Sequence, residues 1–346
     1  MDYFRRDFLP RVVVCSIVCF LFSSTGLCQE RPSLERVPVI VRDKHGLVIP
    51  EITVQDLTAK VGGNSASIAA ITVDSRPHRA VILLDTSESM KGIMDSKKWK
   101  LPAIIATSAA TSVSPNMELA FLAFDEATHH VIDFSQGNAA VLEQLNQITA
   151  AQALSEIGAR KRTALYDAIY RGWQLIDRPS CADLLLVITD GDDNKSSLNP
   201  DTLEKILMRS GVRLFAVRIQ DFDDRSVARY LEASGGPRVL AEIVDKTGGE
   251  VFGPVGFRAG VVNFAFSNYD YSDETSLRDA LGWFFQGMTK RETAEIPLPN
   301  ATATEQPLEL KLSNAATHKW KGATLSYPRK LFPRGSSVKP ASASSR

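Results

Sequence analysis

"AVILLDTSESMKG" (Ala80 to Gly92) decides the reading of this chain. An unbroken apolar run is what a strand buried on both faces of a parallel sheet requires. Here the run stops abruptly on one carboxylate and two hydroxyls at alternating positions. In an extended loop alternate side chains face the same way, so Asp85, Ser87 and Ser89 can converge on one point while Thr86 and Glu88 turn elsewhere. A string of polar residues at a strand end is also a common cap or turn, so the stretch needs support from outside itself.

Outward from this stretch, strands and helices alternate. "LPAIIATSAATSV" after Lys100 has the composition of a buried helix, with Pro102 tolerable in the first turn. "MELAFLAFD" is a second buried strand, and "HHVIDFS" a short one that can pair with it as an antiparallel edge. "AAVLEQLNQI" and "TALYDAIYRGWQLI" have helical periodicity. "DLLLVITD", a helix after Pro200, "VRLFAVRI" and "RVLAEIVDKTGG" with its terminating glycine pair continue the alternation. "SNYDYSDETSLRDALGWFFQGMTK" begins as a loop and closes the domain with a helix. The expected fold is α/β: a doubly wound, mostly parallel central sheet with helices on both faces, over residues 76–290.

In such sheets, sites form where strands deliver their carboxyl ends. The first strand delivers Asp85, Ser87 and Ser89; "VITDGDDN" delivers Asp190; Thr163 opens the helix "TALYDAI" between them. Two carboxylates and three hydroxyls, without histidine or thiol, make a hard-oxygen set suited to Mg²⁺, Mn²⁺ or Ca²⁺. "DGDDNKSSLNPD" differs from a calcium loop in having Lys195 where the tight turn wants glycine, and Asp192 and Asp193 read as solvated. "DFDD" at 221–224 reads as a helix cap. His129 and His130 fall on the presumed edge strand, where neighbours face opposite sides.

"DTSES", "TALYD" and "ITDGDD", in that order, resemble the metal-ion-dependent adhesion site of von Willebrand factor type A domains, over about residues 79–290. The resemblance implies a mostly parallel sheet with one antiparallel edge strand. It also implies that Asp85, Ser87, Ser89, Thr163 and Asp190 hold a divalent ion directly or through water. One departure is "ARKR", Ala159 to Arg162, where family members often carry glycines before the threonine. These cations suit either an anionic ligand or a solvated loop.

The flanks are smaller. "VPVIVRDKHGLVIP" and the β-branched stretches up to Val73 read as a β unit within residues 29–75. "TAEIPLP", "PLELKLSN" and "GATLSYP" read as a β segment over 291–333, and residues 334–346 as a low-complexity tail. Arg5, Arg6 and Arg11, the apolar run Val12 to Phe22 and the small residues before Gln29 describe a signal peptide over residues 1–28. The run is shorter than the ~20 residues of a spanning helix, so no membrane span is expected after cleavage. Cys15, Cys19 and Cys28 leave with that segment; Cys181 stays alone and reads as a packed thiol. The chain has 40 basic and 40 acidic residues, and removing the leader subtracts three arginines and two aspartates. A near-neutral mature chain gives no electrostatic case for nucleic acid.

The layout of β unit, type A region and short β tail also resembles a bacterial secreted group of type A proteins, placed outside the cell, in the periplasm or in the cell envelope. Asp85 and Asp190 neutralise a divalent cation without excess, leaving it open to one more anionic oxygen. The type A resemblance implies a protein partner offering an Asp or Glu, in a cation-dependent adhesion module with no catalytic residue. The alternatives are a Mg²⁺-dependent hydrolase or phosphotransferase, and a module whose ion only stabilises loops. An enzyme of the aspartyl-phosphate type would want a second carboxylate at Ser87, and all five histidines lie outside the three loops.

Overall fold

The computed structural model describes residues 33–74, 78–92, 101–113, 117–150, 162–219, 235–255, 257–258, 261–263, 270–271, 274–290, 292–298 and 305–332. The expected leader, residues 159–161 of the basic run, the stretch 221–224 and the tail 334–346 lie outside the described residues.

The chain opens with five short strands: β1 (Ser33–Pro38), β2 (Ile40–Arg42), β3 (Leu57–Val61), β4 (Asn64–Ala66) and β5 (Ala70–Val73). Then come the strands of the central sheet: β6 (His78–Asp85), β7 (Met117–Phe124), β8 (Thr128–Ile132), β9 (Leu184–Thr189), β10 (Arg213–Ile219) and β11 (Val251–Val255). Their order is β11-β10-β9-β6-β7-β8, parallel throughout except for the antiparallel edge β8. The α/β, doubly wound fold expected from the sequence is the fold observed.

Period-2 alternation divides the apolar runs between two cores. Ile82, Leu84, Leu186 and Ile188 face the helices Leu101–Val113, Gly137–Ala150 and Glu274–Met288. Val81, Leu83, Leu185 and Val187 face Leu165–Gln174, Pro200–Ser210 and Gly235–Lys246. Because both faces are covered, these strands read as continuous apolar runs rather than alternating ones.

Three short strands follow, β12 (Phe257–Arg258), β13 (Val261–Asn263) and β14 (Asp270–Tyr271), and then β15 (Glu292–Leu298), β16 (Gln306–Leu312), β17 (Thr324–Ser326) and β18 (Lys330–Leu331). The two flanks, read separately in the sequence, pair with each other. β15 lies antiparallel between β1 and β5; β16 lies antiparallel to β3; β17 pairs with β2. Together they bury Val37, Val41, Leu57, Ile296, Leu308 and Leu310 in a third core.

This β body is fastened to the central sheet by a buried ion pair. The Arg42 guanidinium binds Glu250 through Nε (2.9 Å to Oε1) and Nη2 (2.6 Å to Oε2), and both side chains are about 95% buried. Its remaining donors reach the carbonyls of Gly46, Trp283 and Phe284 at 2.8, 3.0 and 3.2 Å, and Ser326 donates to Glu250 at 2.9 Å. A methyl group on Gly287 would collide with the guanidinium, so this helix position must stay bare. Glu250 precedes β11, which puts the junction at the amino ends of the strands and leaves their carboxyl ends to the site.

Candidate metal centre

β6 runs from the sheet to β7 on one side; after the edge β8 the chain crosses back to β9 on the other side of β6. The carboxyl ends of β6 and β9 therefore flank the point where strand order reverses, the place where an open α/β sheet leaves a crevice. Asp85 ends β6, Thr189 ends β9, and Asp190 follows it.

Asp85 and Thr189 are buried side by side: Thr189 Oγ1 donates to Asp85 Oδ2 at 2.7 Å and accepts from the Gly191 N–H at 3.0 Å. The other Asp85 oxygen accepts the Ser87 N–H at 2.9 Å. Ser87 Oγ and Ser89 Oγ lie 3.0 Å apart, but not by extended alternation: the chain turns here, with the Met90 N–H on the Ser87 carbonyl at 3.1 Å, and Ser89 opens the short helix Ser89–Gly92. Thr86 turns away as expected: its hydroxyl donates to the Phe124 carbonyl at 3.0 Å. Burial, and after it the neighbouring Asp190 carboxylate, push the Asp85 carboxyl up to about 7 against the hydrogen bonds from Thr189 and Ser87. Among the described residues no Lys, Arg or His pairs with Asp85 or Asp190. Asp190 itself is half-buried and accepts the Asp192 N–H at 3.0 Å.

Thr163 is buried in the loop before the helix Leu165–Gln174, two residues ahead of the first helical residue. It is tied to the loop that begins at Asp190, through Asn194: its N–H donates to Asn194 Oδ1 and its carbonyl accepts the Asn194 N–H, each at 3.0 Å. The neighbouring Ala164 N–H donates to the Asp125 carbonyl at 2.7 Å, joining this loop to the end of β7. Arg162, the described residue of the basic run, is exposed.

Two readings of the polar loops need correction. Asp193 is not simply solvated: its Oδ1 accepts the Leu165 N–H at 2.8 Å and caps the helix behind Thr163. Asp192 is exposed. His129 is not remote from the first loop either, since its Nε2 lies 3.1 Å from Thr86 Oγ1 and 3.7 Å from Asp125 Oδ2. His130 has a φ of 49°, and the pairing of β7 with β8 shifts register between Phe121 and Ala123. In that irregular backbone the two imidazoles sit with centroids 5.1 Å apart rather than on opposite faces.

The donor chemistry fits a hard cation. Among the described residues no group of three or more His, Cys, Asp and Glu side chains gathers. What the sheet collects at its switch point is a carboxylate pair bordered by hydroxyls. A buried carboxylate held up by a second one, with no described cation beside it, is a place where a divalent cation would relieve a cost.

Residues 80–247 match the model of the von Willebrand factor type A domain family. The match covers the central sheet from β6 through the helix that ends at Lys246. No curated protein matches the sequence. Among solved structures the chain is similar to the conserved hypothetical protein BatB from Bacteroides thetaiotaomicron (14% identity, 62% of this chain and 98% of that one, TM-score 0.39). A von Willebrand factor type A protein from Catenulispora acidiphila is similar over 88% of this chain and 75% of that one (14% identity, TM-score 0.40). Proximal thread matrix protein 1 of the mussel byssus is similar at 11% identity over 65% of this chain and 50% of that one (TM-score 0.40).

Proposed function

We propose, starting from the von Willebrand factor type A domain that residues 80–247 match, that this protein is an exported protein-binding module of the bacterial secreted type whose contact is completed by a divalent cation. Asp85, Ser87, Ser89, Thr163 and Asp190 hold the ion, Mg²⁺ first, with Mn²⁺ and Ca²⁺ as chemically similar occupants. An Asp or Glu of a protein partner supplies the remaining anionic oxygen.

The observation that carries this reading is the Asp85–Asp190 pair. Two carboxylates converge at the switch point, the buried one is pushed up to about 7 by burial and by the other, and no described cation compensates them. Bound there, the ion supplies a positive charge that the two carboxylates neutralise without excess, so it stays receptive to a further anionic ligand. The chain's part is to fix that receptivity in place. Thr189 and the Ser87 N–H orient Asp85, and the contact between the Ser87 and Ser89 hydroxyls sets the loop. No residue is assigned a catalytic role. Export rests on the three arginines and the apolar run ahead of Gln29, and it puts the module in the cell envelope or outside the cell. Among the described residues no helix is long and apolar enough to cross a membrane.

The test is capture of partners from the native envelope fraction by the full mature chain, in Mg²⁺ and in EDTA, with Asp85→Ala beside the wild type. The expected result is a protein retained in Mg²⁺, released by EDTA and not retained by the variant. Retention that survives both EDTA and Asp85→Ala contradicts the mechanism.

A further inference from the structure

We propose that Asp193 and Asn194 are positioning residues of the cation site, holding Thr163 in place from the loop that Asp190 begins. The inference rests on the cation reading above and gives a role to two residues that are not among its five proposed ligands.

The helix Leu165–Gln174 has no cap of its own. Its N-cap residue is Ala164, which makes no side-chain cap hydrogen bond. A helix start leaves N–H groups without intrahelical partners, and buried ones must be satisfied from elsewhere. Here the partners come from across the crevice. Asp193 Oδ1 accepts from the Leu165 N–H at 2.8 Å; Ser196 Oγ accepts from Tyr166 N–H at 2.9 Å and Asp167 N–H at 3.1 Å. Ser196 Oγ donates in turn to Asp193 Oδ1, which fixes the two caps to each other. Asp167 answers in the opposite direction, accepting the N–H groups of Ser197 and Leu198 at 2.9 and 2.8 Å.

Within this clasp Asn194 grips Thr163 at both backbone groups, with its side-chain oxygen on the N–H and its own N–H on the carbonyl. The residue that would carry one hydroxyl ligand is thus held by a residue four places after the Asp190 carboxylate. A hydroxyl is a weak ligand and contributes only if it is already where the ion needs it. The clasp makes the Thr163 entry and the Asp190 loop one piece, so the distance between two of the five donors is set before any ion arrives. Partners of this kind behind metal ligands are typically worth about 10–100-fold in affinity.

The experiment uses Mn²⁺ alone as the probe, with the electron paramagnetic resonance signal of the free ion giving the Kd for the metal-stripped mature chain. Wild type, Asp85→Ala, Thr163→Ala, Asn194→Ala, the Thr163→Ala/Asn194→Ala double variant and Asn194→Asp are compared. Asn194→Ala is expected to weaken Mn²⁺ binding about tenfold, the lower end of that range. It should weaken it no further in the Thr163→Ala background, because Asn194 acts through Thr163. Asn194→Asp, which keeps the oxygen that accepts from Thr163, should restore affinity. A residue serving fold stability alone would lower the melting temperature and leave the Mn²⁺ Kd where it was. If Asn194→Ala does not fold, Asn194→Ser, which no longer reaches the Thr163 N–H, makes the same comparison.

An unchanged Kd for Asn194→Ala overturns the inference and leaves the cation reading intact, provided Asp85→Ala abolishes binding. So does a loss that simply adds to that of Thr163→Ala. If wild type binds no Mn²⁺, or Asp85→Ala binds it equally well, the cation reading fails and this inference falls with it.

Discussion

Glu250 and Asp85 are buried carboxylates at opposite ends of one sheet, and the protein surrounds them differently. Glu250, before β11, receives the Arg42 guanidinium and the Ser326 hydroxyl, and through Arg42 it is linked to the carbonyls of Trp283 and Phe284. Asp85, at the end of β6, receives a threonine hydroxyl and one N–H, and faces a second carboxylate. At the amino ends the chain supplies its own cation, and the pair joins two bodies of the fold. At the carboxyl ends no described residue supplies one, and we propose an ion from outside for that place. Burial alone therefore does not distinguish a structural carboxylate from a functional one; the source of the compensating charge does.

The comparison breaks first at the junction. Arg42→Ala leaves Glu250 buried without its partner, and the expected loss is about 3–5 kcal/mol in denaturant melts, the same in Mg²⁺ and in EDTA. Replacing both partners, Arg42→Met with Glu250→Leu, should recover most of that loss, because no uncompensated charge is left behind. Gly287→Ala forces a methyl group against the guanidinium and should cost about 1–3 kcal/mol in the same assay. A loss at either position that Mg²⁺ repairs would mean that the two ends of the sheet are coupled.

At the other end the signs reverse. Asp85→Asn removes a repelled charge while leaving an oxygen for the Ser87 N–H, so the metal-free variant should melt at or above the wild type at pH 7. It should gain nothing from Mg²⁺, whereas the wild type gains stability as the ion saturates it.

The pH dependence of the metal-free protein reads the same carboxylate. Because the folded carboxyl is raised to about 7, the folded state binds a proton there more tightly than the unfolded chain does. Stability from this group is thus highest below an ordinary carboxylate pKa of about 4, falls as pH rises toward 7, and is level above that. Thermal melts in EDTA should show wild type losing ground to Asp85→Asn across this window. A difference that stays flat, or that grows in favour of wild type, contradicts the assignment.

Much of this arrangement was legible from residues close together in the chain. Continuous apolar runs such as Ile82 to Leu84 and Leu184 to Ile188 read as strands covered on both faces, and they are. The meeting of Ser87 and Ser89 does not follow from two-residue periodicity, because the chain turns at Ser87 into the helix Ser89–Gly92. What stayed hidden depends on distant partners. The pairing of Leu57–Val61 with Leu308–Leu312, and of Arg42 with Glu250, joins segments more than 200 residues apart and leaves no local pattern. A loop aspartate such as Asp193 looks the same in sequence whether it faces water or caps another segment's helix. Strict alternation does not hold around His129 in β8, where a register shift and a positive φ at His130 break it.

The central claim is that Asp85 and its neighbours hold a divalent cation. Calorimetric titration of Mg²⁺ into the metal-stripped mature protein, with Asp85→Asn in parallel, tests it most directly. The account predicts saturable binding of one ion per chain in the wild type and none in the folded variant. Equal binding by both, or none by the wild type, would contradict it.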